Sequence, residues 1–147
     1  MIKSNKNIQS HKFINKLTND IELLEKLISK NILEKKQRIG AEQEFCLVDD
    51  NLRPNPINDK IVEKLSDEGF VTEIAKFNME LNIDPIELSS NSFKKLEKVL
   101  LDKMLIARDV SKNFDSELIL TGILPTVRKF DLRYENITNN RRYFKPY

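Results

Sequence analysis

Glu42 and Glu44 stand two residues apart in "RIGAEQEFCLVDD", residues 38 to 50, and Glu80 stands in "TEIAKFNMELNID", residues 72 to 84. Carboxylates at a spacing of two share one face of a β-strand, where they can hold a hard divalent cation. In the first stretch Gly40, Glu42, Glu44 and Cys46 alternate with Ile39, Ala41, Phe45 and Leu47. One face is therefore acidic and the other apolar. In the second stretch Ala75, Phe77, Met79, Leu81 and Ile83 alternate with Lys76, Asn78, Glu80, Asn82 and Asp84. Neighbouring like charges repel unless water, a cation or a basic partner offsets them. Mg²⁺ usually takes one or two carboxylates together with phosphate oxygens and water, which three strand-borne glutamates can supply. Alternation by itself also describes a solvated face beside Lys76.

Other chemistries find less support. Cys46 shares the face of the glutamates, but it is the only cysteine, and His11 is the only histidine. Zinc binding and a Cys/His dyad both lack partners, and Cys46 reads as a small packing residue. Gly40, Gly69 and Gly122 are too dispersed to form a phosphate-cradling loop. Arg128, Arg133, Arg141 and Arg142 crowd the last twenty residues. Such a cluster could grip phosphate or carboxylate, although basic tails are common.

The elements around these residues follow from periodicity. From about Ser10 to Lys36 the residues Phe13, Ile14, Leu17, Ile21, Leu24, Leu27, Ile28 and Ile32 recur at helical steps. A strand over 38–48 follows, then a turn-rich stretch, "DDNLRPNPIND", and a short helix in "DKIVEKLSDEG" that Gly69 would end. After the second strand, Ser89, Ser90 and Asn91 are candidate N-caps for a helix reaching about Phe114. "SELILTGI" reads as a third strand, and the remainder as an irregular polar tail whose Tyr134, Tyr143, Phe144 and Tyr147 have no element to pack them. The expected class is α+β, an antiparallel-rich sheet with helices on one face and the other face polar and open. No heptad run is long enough for a coiled coil, and no internal repeat or low-complexity linker is evident.

Twenty-five basic residues against twenty-three acidic ones leave a net charge of +2, too small to argue for nucleic acid or an anionic membrane. No signal peptide or membrane span is apparent, so a cytoplasmic location is expected.

Four stretches in order, "RIGAEQEFCLVD", "TEIAKFNMELNIDP", "LTGILPTVRKFDL" and "NITNNRRY", resemble the successive motifs of the ATP-dependent carboxylate-amine ligases related to glutamate-cysteine ligase. The resemblance covers roughly residues 38 to 143. It implies part of a catalytic domain similar to the glutamine synthetase superfamily, in which a curved antiparallel sheet presents acidic side chains to Mg²⁺ (or Mn²⁺) and ATP. It further implies Glu42, Glu44 and Glu80 as metal ligands, with Glu73, Arg142 and Tyr143 contacting substrate or nucleotide. It singles out no catalytic acid or base.

The family's activity joins a carboxylate to an amine through an acyl phosphate, so the partners implied are amino-acid and amine small molecules. The chain departs from the family pattern at Gly122-Ile123-Leu124-Pro125, where many members carry histidine, and at Gln43, where many carry glutamate. Both departures imply a divergent branch. The family's catalytic domain is usually more than twice as long, so 1–147 is expected to be one incomplete N-terminal domain, completed by a C-terminal half or by homo-oligomerisation. The rival expectation is a non-catalytic module that pairs with another subunit through its sheet face or edge.

Overall fold

The computed structural model describes residues 2–33 and 36–140. The chain divides into two compact units, Met1–Lys36 and Gln37–Tyr147. The first contains one helix, α1 (Ile2–Ser29). It ends seven residues before the expected limit at Lys36, where Asn31 adopts a left-handed conformation, φ 51°. The apolar stripe of α1 is bare, and His11 is exposed on the same helix.

The second unit is α+β. Its elements run β1 (Arg38–Val48), α2 (Asn58–Leu65), β2 (Phe70–Thr72), β3 (Asn78–Glu87), α3 (Ser92–Lys112), β4 (Glu117–Ile119) and a 3₁₀ turn at Tyr134–Asn136. The four strands form one antiparallel sheet in the order β2-β3-β1-β4. Phe45 and Leu47 of β1, Phe70 of β2, and Met79 and Leu81 of β3 bury their side chains against Ile61 of α2 and Ala107 of α3. Both helices of this unit thus cover the apolar side of the sheet, as the alternation requires.

Four local expectations are corrected. The stretch 72–84 is not one strand: β2 and β3 make a hairpin whose connection holds Glu73 to Phe77. Non-local bonds bend it there, because Lys76 N–H donates to Asn136 and Asn58 Nδ2 donates to the Ala75 and Asn78 carbonyls. Helix α2 ends at Ser66, which takes the left-handed conformation itself (φ 51°), rather than at Gly69. Gly69 serves close approach instead, since a Cβ there would lie 2.9 Å from the Asn82 carbonyl oxygen.

The third strand shortens to Glu117–Ile119. Finally, the tail is packed in part, with Leu124, Asp131 and Thr138 buried. Leu124 closes a second small cluster with Cys46 and Val48, so the far face of the sheet is covered at that end.

Candidate functional site

The register of β1 and β3 decides which carboxylates meet. Glu44 is paired with Glu80, Glu42 with Asn82, and Cys46 with Asn78. Directly opposed residues of an antiparallel pair point to the same face, so these six side chains share the face away from α2 and α3. Leu47 N–H donates to the Phe77 carbonyl, and Asn82 N–H donates to Gly69. Odd-numbered β1 residues therefore bond toward β3, and even-numbered β3 residues toward β2. Glu44 and Glu80 are consequently a non-hydrogen-bonded pair, the kind whose side chains lie closest.

The pair is well supported from below. Glu44 precedes the buried run Phe45–Val48, and Glu80 sits between buried Met79 and Leu81. Asn82 Nδ2 donates to Glu80 Oε1 at 2.8 Å, which orients that carboxylate. Glu42 and Glu44 are exposed, and Glu80 is half-buried. Beside Glu42 lies an open cleft of about 580 Å³, walled by Gly40, Asn82, Asp84 and Pro85. Gly40 marks a register shift between Ile39 and Ala41, a bulge that bends the outer half of β1.

Cys46 is buried and closes the face at its inner end. Burial pushes its thiol above the ordinary range; the nearby Glu44 charge adds to this, while the amide of Asn78, 3.6 Å from Sγ, opposes it. A thiol held protonated is a poor nucleophile, and Cys46 packs with Val48 and Leu124. Lys76 does not neutralise the glutamates, since its Nζ donates to the Glu135 carbonyl at 2.8 Å.

Glu73 is not on a strand. It lies in the β2–β3 connection, its Oε2 accepts the Ile74 N–H at 3.2 Å, and its carbonyl accepts from Thr138 Oγ1. The structure thus brings Glu42, Glu44 and Glu80 to one face and sets Glu73 apart in a turn. Arg142 and Tyr143 lie outside the described residues. Among the described residues no three His, Cys, Asp or Glu side chains are gathered closely enough to enclose a metal ion. The donor set nevertheless suits a hard cation held by two carboxylates and completed by water or phosphate, the usual arrangement for Mg²⁺.

Sequence reasoning did not single out Asn78 and Asn82 as parts of the site. Their signal was present, because they flank Glu80 at a spacing of two on the same polar face. It also missed the clasp that fixes the tail beneath this unit. Arg53 Nη2 meets Asp131 Oδ2 at 2.6 Å, its Nη1 donates to the Thr126 carbonyl, and its guanidinium lies 5.1 Å from the Phe130 ring centre. No short-range pattern links residues 78 positions apart. Comparisons with protein families, with curated proteins and with solved structures gave no match.

Proposed function

We propose that this chain carries part of the Mg²⁺-ATP site of a cytoplasmic ATP-dependent carboxylate-amine ligase similar to the glutamate-cysteine ligases. The in-register pairing of Glu44 with Glu80 on the face away from α2 and α3 is the observation that supports the reading most. Two like charges directly opposed on a sheet are destabilising, and a cation between them removes the penalty. The four ordered motifs of the sequence add the reaction class.

In this reading Glu44 and Glu80 hold the cation, Asn82 keeps the Glu80 carboxylate oriented, and Glu42 flanks them above its cleft. When bound, the cation would neutralise phosphate charge during phosphoryl transfer. The substrate carboxylate attacks the γ-phosphorus of ATP, giving an acyl phosphate and ADP. The amine then displaces inorganic phosphate to form the amide. Glu73, Arg142 and Tyr143 remain the proposed contacts to the amine substrate and the nucleotide.

The test is equilibrium binding of Mn²⁺ and of Mn²⁺-ATP to the full chain. Wild type should bind, and Glu44→Gln or Glu80→Gln should weaken binding at least tenfold with the fold intact. Equal binding by wild type and both variants would refute the assignment.

One observation favours a second reading, a non-catalytic pairing module. Strand β4 flanks β1 only at Cys46, Leu47 and Val48, so among the described residues no strand borders β1 from Ile39 to Glu44 on the side away from β3. The Glu44 carbonyl, which faces that side, accepts from the Gln43 side chain at 2.9 Å instead. Beneath it an apolar groove of about 450 Å³ runs between Ile39 and Ala41 of β1 and Phe93, Leu96 and Leu100 of α3. An added strand would cover both features. Capture of a partner by wild type, with no cation binding, would favour this reading over the ligase.

A further inference from the structure

The apolar stripe of α1 has a stricter order than ordinary amphipathicity. Ile14, Leu17, Ile21, Leu24 and Ile28 follow one another at steps of three, four, three and four. They occupy consecutive a and d positions of a heptad, with isoleucine at every a and leucine at every d. Between parallel helices that choice selects two strands over three or four, because β-branched residues at a and leucine at d fit the knob geometry of a dimer. The run spans little more than two heptads, which by sequence alone is too short for a coiled coil. The structure adds that α1 is one continuous helix through all five positions and that the stripe is bare. Ile14 is 51% exposed, Leu17 44%, Ile21 50%, Leu24 52% and Ile28 59%.

We propose that α1 pairs with α1 of a second copy of this chain as a short parallel coiled coil. With Phe13 and Leu27 at flanking g positions, the stripe would bury about 600 Å² on each helix, or about 1,200 Å² in all, which reaches the lower bound of specific interfaces. Of the three g positions along the parallel seam, Phe13 meets Thr18 of the other copy, and Leu27 covers the last a position, since α1 ends at Ser29 and no helical e position follows it. The third sets Asp20 against Glu25, a like-charge pair that weakens the dimer and is relieved by salt. An antiparallel pair would instead set Glu25 near His11.

Sedimentation equilibrium of the full chain over a wide concentration range tests this. The mass should rise from the 17.2 kDa monomer toward twice that value, and added salt should tighten the association. Leu17→Asp combined with Leu24→Asp should stay monomeric with the thermal transition of the β-sheet unit unchanged, since both side chains are half exposed. Glu25→Lys should tighten association several-fold at low salt by turning the repulsive pair into an attractive one. A wild-type monomer at every concentration, or a dimer that survives the double aspartate substitution, would overturn the proposal. Failure of Glu25→Lys to tighten the dimer would overturn its parallel register.

Discussion

Replacing Glu44 by glutamine should stabilise the cation-free protein and abolish its stabilisation by a divalent cation. The two effects have one origin, the opposed pair Glu44 and Glu80. In a non-hydrogen-bonded pair the Cα atoms are about 4.5 Å apart, and side chains leaving the same face keep their carboxylates within roughly 5 Å. At that distance two charges in a water-like medium repel by about 0.8 kcal/mol. Physiological salt, with a screening length near 8 Å, reduces this to about 0.4 kcal/mol. Glutamine keeps the shape and removes the charge, so the gain should be about 0.4–0.8 kcal/mol, or a rise of about 2–4 °C in melting temperature. The bond from Asn82 to Glu80 persists in the variant and does not enter the difference.

The assay is thermal unfolding with a chelator, at low and at moderate salt, and again with Mg²⁺ or Mn²⁺ in excess. Wild type at a hundredfold excess of cation over its dissociation constant should gain about 2.7 kcal/mol, and the variant should gain little. A variant that melts at or below wild type in chelator, with no dependence on salt, would show that the two carboxylates do not oppose each other as the register requires.

Arg53→Ala should cost about 2–3 kcal/mol in urea unfolding, less than a fully buried pair because the Arg53 side chain is 22% exposed. The Asp131 side chain, 10% exposed, would keep only the Arg128 N–H at 2.7 Å. The ion pair with Lys103 holds the Asp67 carboxyl below the usual carboxylate range, with the Gly69 N–H contributing. Its folded pKa is thus lower than its unfolded one, so its stabilisation is present above the ordinary carboxylate pKa and lost as pH falls through the depressed value. Lys103→Met should flatten that acid limb, by no more than about 1 kcal/mol since the pair is a third exposed. Cys46, whose thiol is pushed up by burial, should react with a disulfide reagent far more slowly in the folded than in the urea-unfolded protein. Its contribution to stability is full below the ordinary thiol pKa and is lost as pH rises through the raised one.

Alternation carried the acidic face from sequence to structure because the period of two is a local property of the strand. It placed Glu42, Glu44 and Cys46 on one side of β1, and Asn78, Glu80 and Asn82 on one side of β3, where the register later joined them. The hairpin between β2 and β3 was not legible, because 75–83 alternates without interruption. What turns Glu73 to Phe77 into a connection is a set of bonds to Asn58, Asn136 and Thr138, from 17 to 65 residues away. The tail was misread for the same reason. Its polar composition hides three anchors: Leu124 packs on Cys46, Asp131 pairs with Arg53, and Thr138 accepts from Asn58. The end of α2 was assigned to glycine on propensity, whereas Ser66 carries the left-handed turn.

The burial along β1 sets an order among the three glutamates. From Phe45 to Val48 every residue is buried, so both faces of that half are packed and the backbone under Glu44 is held from both sides. Glu80 has the same kind of footing between Met79 and Leu81. Glu42 stands farther out, near the Gly40 bulge, where among the described residues β3 alone borders β1 and Asn82 rather than a carboxylate lies opposite. A ligand fixed by packed neighbours gives up little freedom when it binds, whereas one on a strand held from one side only gives up more. Glu42→Gln should therefore weaken cation binding by several-fold at most, against at least tenfold for Glu44→Gln or Glu80→Gln. Titration of the three variants with Mn²⁺ ranks them. If Glu42→Gln proved the most damaging, the cation would belong in the cleft beside Asn82 and Asp84, and the paired glutamates would be only its neighbours.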